Sequence, residues 1–405
     1  MVKVAVLGYG TVGSGVVEIF HTNKELLEKR TGKKLEVKYV FGRHPYPGTL
    51  AENKITNDFE KILHDEEIEI VAEALGGLDP AYTFVKQLLE NGKSVVTSNK
   101  ELVAQYGAEL INTAKEHHVN FLFEASVAGG IPIIRSLHSA LTADRIEKIT
   151  GILNGTTNYM MTKMFYDNED YDQVLKEAQQ LGYAERNPEA DVEGYDACRK
   201  IAILSSVISG KEVDFKEIYT EGITKITTAD IQYAKKMDMT VKLIASAKRI
   251  DDRFQVMVSP CLLKQDHPLY DVNGVFNAVL VTGNMSGDNM FYGSGAGKLP
   301  TASAVLADII DIVKNQEKNI MAEWSNEKQD LIAKEKSEKR FFVRMSGNQK
   351  DYEKMIEESF GRSEFITIDD EGHEFGFVTQ KIKEDVYEEK AGAFSNILHM
   401  IRIEE

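Results

Sequence analysis

The sequence predicts an α/β protein in three parts: an N-terminal doubly wound parallel sheet, a central α/β part and a C-terminal βαββαβ unit. Three observations predict it. Residues 1–126 alternate short apolar runs with helical stretches, the order of a parallel sheet covered on both faces. Residues 127–300 begin with long helical patterns and turn strand-rich from about 240, which implies a second layer and not more of the first sheet. After a charge-dense stretch, residues 341–405 read as strand, helix, two strands, helix, strand.

The elements follow in order. VKVAVLG (2–8) is bounded by glycine and reads as a buried strand, followed by a helix over 12–30. LEVKYVFG (35–42) is the second strand; runs at 68–77, 93–99 and 120–126 add three more, with helices near 79–91 and 101–117. Helical patterns cover 131–143, 156–166, 171–181 and 192–209, interrupted by a strand at 149–155. VKLIASAKRI, FQVMVSPCLL and FNAVLVTGNM are strands. A helix at 300–317 is expected to pack back on the first part. Residues 321–340 lack a wide apolar stripe and read as a linker or exposed helix. In the tail, strands are expected at 341–347, 364–370, 374–382 and 401–404, and helices at 351–361 and 387–399. The domain limits are 1–128, 129–320 and 341–405, with 321–340 as the link.

Composition narrows the function. The chain has 405 residues, 42% apolar and 28% charged, enough for two or three folded domains. Sixty-four acids against 48 bases give a formal charge of −16, unsuited to polyanionic nucleic acid or an anionic membrane surface. A local basic pocket for one small anion stays open. No apolar run is long enough to span a membrane, and Met1 leads straight into the first strand with no charged leader. The two cysteines, Cys198 and Cys261, form no disulfide framework and match no zinc spacing, so the reducing cytosol is the expected compartment.

Four stretches carry chemistry. Gly8-Tyr9-Gly10-Thr11-Val12-Gly13 is a full G-x-G-x-x-G between a strand and a helix, the setting in which glycines let a pyrophosphate approach the backbone. Its phosphates are expected on the free N–H groups opening the helix. The second strand ends Phe41-Gly42-Arg43-His44 with no acid for a ribose hydroxyl, so Arg43 favours the 2′-phosphate of NADP; the alternative is a solvated loop arginine. Ser98-Asn99-Lys100 closes a parallel strand at its C-terminal end, where open α/β sheets bind ligands, and Lys100 suits an anionic group. The stretch from Gly182 to Lys200 places Asp196 and Lys200 at i and i+4 on one helix face, beside an apolar run. A desolvated lysine next to a carboxylate can exchange a proton near neutral pH. On spacing alone the commoner reading is a surface ion pair worth about 0.2–0.5 kcal/mol.

Taken together these motifs resemble the homoserine dehydrogenase family, over about residues 1–320. GYGTVGSGV is similar to that family's cofactor loop, and TSNKEL (97–102) to its asparagine–lysine motif. EASVAGGIPII (124–134), GILNGTTNYM (151–160), GYAERNPEADVEGYDACRK and FYGSGAGKLPTASAV (291–305) resemble the rest in the same order. The resemblance implies interconversion of L-aspartate 4-semialdehyde and L-homoserine with NAD(P), in threonine and methionine biosynthesis. It implies Lys200 as the proton donor and acceptor, Asp196 beside it, and Lys100 lining the shared substrate and cofactor site. Glu185 is implied as holding the substrate ammonium, with Thr156, Asp191 and Tyr183 nearby. Gly8, Gly10, Thr11, Val12, Gly13, Arg43, Ser98, Lys100 and Gly295 are implied on the cofactor side. Glu124 with the carbonyls of Val127, Gly129 and Ile131 is implied as a monovalent-cation site, an oxygen set that suits Na⁺.

The tail resembles the ACT domain, an amino-acid-sensing module, which implies an effector. Its first turn departs from that pattern: Met345-Ser346-Gly347-Asn348-Gln349-Lys350-Asp351-Tyr352 replaces an Asp/Asn–x–x–Gly turn. A plain dimerising or capping module is the alternative. The tail is expected to fold separately and pair its strands with another copy in a homodimer or homotetramer. Two further readings stay open: another amino-acid or semialdehyde dehydrogenase of the same fold, and a catalytically silent nucleotide sensor. An acylating aldehyde dehydrogenase needs a nucleophilic cysteine, which neither Cys198 in mid-helix nor Cys261 in a strand resembles. A silent sensor is expected to have lost Lys200, Asp196 or Lys100, and all three are present.

Overall fold

Valine- and isoleucine-rich runs, each too short for a helix and closed by glycine or a polar cap, build the first sheet. In the computed structural model, which describes residues 1–368 and 373–405, they are β1 (Val2–Leu7), β2 (Leu35–Phe41), β3 (Ile55–Thr56), β4 (Ile68–Glu73), β5 (Ser94–Thr97) and β6 (Phe121–Leu122). Between them run α1 (Thr11–Thr22), α2 (Lys24–Thr31), α3 (Phe59–Leu63), α4 (Ala81–Glu90) and α5 (Lys100–Glu116), and after them α6 (Ile133–Arg135). The strands are parallel in the order β3-β2-β1-β4-β5-β6, so connections leave in opposite directions from β1 and β4. That reversal is where doubly wound sheets open a ligand crevice.

The remaining chain continues as β7 (Ile146–Ile152), α7 (Gly155–Asp167), α8 (Tyr171–Gln180), α9 (Glu189–Val192), α10 (Tyr195–Ser209), β8 (Lys211–Glu212), β9 (Tyr219–Thr220) and α11 (Thr228–Lys236). Then come β10 (Met239–Ile250), β11 (Arg253–Lys264), β12 (Phe276–Gly283), β13 (Gly287–Ser294), α12 (Lys298–Lys314) and β14 (Ser325–Lys328). The tail holds β15 (Glu338–Ser346), α13 (Gln349–Phe360), β16 (Glu364–Ile366), β17 (Glu374–Val378), β18 (Ile382–Lys383), α14 (Glu384–Ala391) and β19 (Ile397–Glu404).

Two units result. The first is Met1–Arg145 with Ala202–Lys216 and Phe291–Gln329; the second is Ile146–Ile201 with Glu217–Met290 and Asp330–Glu405. In the first, α12 lies against α1, and a Cβ on Gly15 would stand 2.9 Å from that of Ala302. Ala302, Val305 and Ile309 share one core with Val4, Val6, Val16 and Val17.

Several elements differ from the sequence expectation. The helix over 12–30 is two helices, broken at Asn23 (φ −104°, ψ 18°). The run at 120–126 pairs through Phe121 and Leu122 before turning, because the Glu124 side chain is used to accept backbone N–H groups of α6. The 192–209 helix is two pieces separated at Gly194, whose φ is +83°. Residues 321–340 are neither an exposed helix nor a free linker. Met321, Ala322 and Trp324 are buried, and the Trp324 ring covers Gly107, leaving a Cβ there 2.9 Å from it. β14 then pairs with β8.

The tail also departs from the expected separate unit. Its strands do form the order β19-β15-β17-β16, but β19 pairs in parallel with β11, through Cys261–Arg402, Leu262–Ile403 and Leu263–Glu404. One sheet therefore runs β13-β12-β7-β10-β11-β19-β15-β17-β16. Helix α14 stops at Ala391, short of the expected 399, since Ile397 onward is drawn into the strand between β11 and β15. The expected strand over 364–370 ends at Ile366; its last two positions lie outside the described residues. Arg402, 1% exposed, bonds to Glu384 of α14 and to Glu221 at 2.6 Å.

A second buried cation stands in β10. Lys242, also 1% exposed, donates to the Val272 carbonyl at 2.7 Å, to Asn273 Oδ1 at 2.9 Å and to Asn158 Oδ1 at 3.2 Å. Burial brings its pKa down to about 7. Between about pH 7 and 10.5 the unfolded chain then binds the proton and the folded chain does not, so stability rises with pH across that window. Urea unfolding of the wild type and Lys242→Met at pH 7, 8.5 and 10 is expected to show the wild type gaining on the variant by a few kcal/mol. A difference that stays constant with pH would remove the titration from Lys242.

Candidate active site

The glycine loop is built as close approach demands. Gly8 has φ +97°, and a Cβ there would lie 2.6 Å from the Ala74 carbonyl oxygen. A Cβ on Gly13 would come within 2.0 Å of the Gly8 oxygen, so α1 can sit against the turn only without a side chain. Gly10 faces open space within 4 Å, room for a phosphate group to reach the backbone. Thr11 and Val12 open α1, whose N-cap offers no side-chain acceptor, so its first N–H groups remain for an anion. Gly8 donates its N–H to the Phe41 oxygen at 3.0 Å, which fixes the end of β2 beside the loop. Arg43 is exposed two positions beyond.

Ser98 follows β5, and Lys100 is the first residue of α5. Asn99 caps this helix by accepting from Leu102 N at 3.1 Å, and donates to the Gly77 oxygen at 2.6 Å. Beneath it lies Glu73 at the end of β4, which sequence reasoning missed. It is fully buried, accepts from Leu75 N at 2.7 Å and from the Thr97 hydroxyl, and burial pushes its pKa up. Its signal was a lone acid ending an apolar strand.

The segment after β6 forms a second cluster of the same unit. Glu124 accepts from Ile134 N at 2.9 Å and Arg135 N at 2.7 Å, while its own N–H donates to Asp308 at 2.9 Å. Burial raises the pKa of both acids, that of Asp308 with the Glu124 charge added, and Arg135 pairs with Asp308 at 2.7 Å. Val127, Gly129 and Ile131 are buried nearby in sequence, and a Cβ on Gly129 would meet the Gly295 oxygen at 2.6 Å. The cation segment and Gly295 are thus in backbone contact. Both Glu124 oxygens already accept N–H bonds but keep a second lone pair each, so an oxygen set for a hard cation fits.

The second unit carries the lysine–carboxylate pair. Lys200 Nζ donates to Asp196 Oδ2 at 2.6 Å and to the Leu153 carbonyl at 2.7 Å. Asp196 is 2% and Lys200 8% exposed, so this is not a solvated surface pair. Asn154, which sequence reasoning also passed over, donates to Asp191 Oδ1 at 2.7 Å and to Asp196 Oδ2 at 2.8 Å. Its signal was an Asn-Gly at a strand-to-helix junction, an N-cap position. The Thr156 hydroxyl donates to the Tyr183 carbonyl at 2.6 Å, so Tyr183 enters through its backbone while its ring, part exposed, packs against Tyr159. Glu185 is exposed on the loop before α9, its carbonyl accepting from Gln179 at 3.2 Å. Asp191, Asp196, Lys200, Thr156 and Tyr183 are therefore gathered around the start of α7. No group of three or more His, Cys, Asp or Glu arranged to hold a metal occurs among the described residues. None of the described helices is long and apolar enough to cross a membrane.

Comparison with known proteins identifies the family. The model of the family described as homoserine dehydrogenase matches residues 132–310, and that of its NAD-binding domain matches residues 8–124. A homoserine dehydrogenase of Bacillus subtilis is 43% identical over 317 residues, 78% of this chain and 73% of that protein. One from Synechocystis is 46% identical over 322 residues, 77% and 73% of the two chains. The crystal structure of a homoserine dehydrogenase from Thiobacillus denitrificans superposes with a TM-score of 0.92 at 34% identity, covering 100% of this chain and 98% of that one. A hyperthermophilic archaeal homoserine dehydrogenase in complex with NADPH gives 0.66 at 29% identity, over 76% and 97%.

Proposed function

This chain belongs to the homoserine dehydrogenase family, and from that premise we propose that Lys200 gives the proton to the aldehyde oxygen of L-aspartate 4-semialdehyde. The reaction is the NAD(P)-dependent interconversion of that semialdehyde and L-homoserine. When bound, the nicotinamide cofactor supplies or receives the hydride. Lys200 carries the reading because its ammonium group is held between one carboxylate and one carbonyl and is nearly buried. As negative charge builds on the substrate oxygen, it can pass a proton forward; in reverse, the neutral amine takes it back. Asp196 keeps the amine aimed. Glu185, Thr156, Asp191 and the Tyr183 carbonyl offer oxygens for the substrate ammonium, and Lys100 offers a cation for its carboxylate. A steady-state assay of NADPH and NADH oxidation with aspartate semialdehyde tests this reading; no oxidation with either cofactor refutes it.

Cofactor contacts are assigned to the Gly8–Gly13 turn, Ser98, Lys100 and Gly295, with Arg43 toward a 2′-phosphate. Arg43→Ala is expected to weaken NADPH binding by about 1–3 kcal/mol and hardly change NADH. Fluorescence titration of both cofactors checks it, and equal losses would take Arg43 out of the site. Sodium is assigned to Glu124 and the carbonyls of Val127, Gly129 and Ile131, where it would brace the backbone. The tail is read as ACT-like from its strand order, with an amino-acid effector, testable by calorimetry with threonine. A homodimer or homotetramer is supported by β13, an edge strand exposing Met290 and Tyr292. A cytosolic location is supported by two buried free thiols.

A further inference from the structure

We infer that Asn154 is a positioning residue for this reaction: one side-chain amide fixes Asp196, and through it Lys200, to Asp191 of α9 and to the start of α7. The inference rests on the reading of Lys200 and Asp196 as the proton-transferring pair.

A side-chain amide has two N–H donors and one oxygen with two lone pairs. All of them are used at Asn154. The donors go to Asp191 Oδ1 and Asp196 Oδ2 at 2.7 and 2.8 Å. The oxygen accepts from Thr157 N at 2.9 Å and from the Thr157 hydroxyl at 3.0 Å, which caps α7. The preceding residue, Leu153, holds Lys200 through its carbonyl. Two consecutive residues at the junction of β7 and α7 thus hold both members of the pair, one each.

That junction is itself fixed. β7 lies between β10 and β12, with Gly151 opposite Ala245 and Val279. One turn into α7, Asn158 donates to the carbonyls of Val272 and Phe276 at 3.1 and 3.0 Å. The amide is therefore placed by the sheet, and the Asp196 carboxylate is placed by the amide.

The charges explain why an amide stands here. Asp191 from α9 and Asp196 and Lys200 from α10 face the site, while the β7–α7 junction and α7 contribute the neutral Leu153 carbonyl and Thr157. Two carboxylates brought to one point repel unless a donor lies between them. Asn154 is that donor, and it also shares Asp196 Oδ2 with Lys200. Removing it leaves more of the Asp196 charge to Lys200, favours the ammonium form, and makes the base needed for homoserine oxidation harder to generate.

The test uses the full chain and two variants. Asn154→Ser keeps an N-cap oxygen but replaces the two amide donors that span both carboxylates by one hydroxyl on a shorter side chain; Asn154→Asp keeps the cap and turns donors into a third carboxylate. For Asn154→Ser we expect a melting temperature close to wild type, turnover reduced about tenfold or more, and the acid limb of the homoserine-oxidation profile moved to higher pH. Asn154→Asp is expected to lose more turnover, with NADPH binding unchanged in both. Turnover within twofold of wild type and an unmoved pH limb would overturn the inference, as would activity that merely tracks a fall in stability. Should Lys200→Ala keep its turnover, the pair is not catalytic, and that failure is seen without the Asn154 variants.

Discussion

Lys200→Ala is expected to lower turnover by about a hundredfold or more, the scale of a lost general acid, while NADPH binding is unchanged. The side chain donates to Asp196 and to the Leu153 carbonyl, and its removal deletes the proton source and takes the cation from a carboxylate that is 2% exposed. Because a buried carboxylate without its cation costs stability, Lys200→Arg is the companion variant. It keeps the cation beside Asp196 but presents a guanidinium that does not deprotonate in proteins. Low turnover in both, with a normal NADPH titration, assigns the loss to proton transfer. Near wild-type turnover in either would return the pair to a structural role.

Removing residues 338–405 is expected to abolish activity along with the fold of the second unit. The β15–β19 segment is not an appendage. Its loss uncovers β11 along Cys261–Leu263 and takes Glu404 from Lys148 at 2.7 Å. Asp230, which is fully buried, loses Arg344 at 3.1 Å and His399 at 3.0 Å. Breaking one buried pair typically costs about 3–5 kcal/mol, against a total of about 5–15 kcal/mol for a domain. Soluble yield, circular dichroism and turnover of the truncated protein check it. A soluble, folded and fully active truncation would show that the continuous sheet is dispensable. Arg402→Met, which removes one buried cation and keeps every strand, is expected to lower the melting temperature without abolishing turnover.

Much of the first sheet was legible because each strand is an apolar run closed by a glycine or polar cap. The glycine loop was equally legible, since its requirement is local. What escaped was set at a distance. β3 has two residues, too few for a period-two pattern. Trp324 sits in a charge-rich stretch, and its burial depends on Gly107, far away in sequence. The insertion of β19 beside β11 leaves no mark on the tail's own periodicity. Lys200 and Asp196 were visible as an i, i+4 pair, but their burial was not. Asn154 was passed over, since nothing local announces that its two donors meet carboxylates from two other helices.

The placement of β19 has a consequence for how the protein is made. β11 closes at Lys264, and the strand that completes one of its sides begins at Ile397. During synthesis β10 and β9 can pair with β11 as it emerges, but Cys261–Leu263 must wait as an open edge until that later strand arrives. Pairing across so long a stretch of sequence is slow, because loop closure comes before any reward in contacts. In that interval, strands from neighbouring nascent chains can compete for the same edge. Yield in cells should therefore be limited by the concentration of unfinished chains, and slower translation or a lower temperature should favour the native pairing.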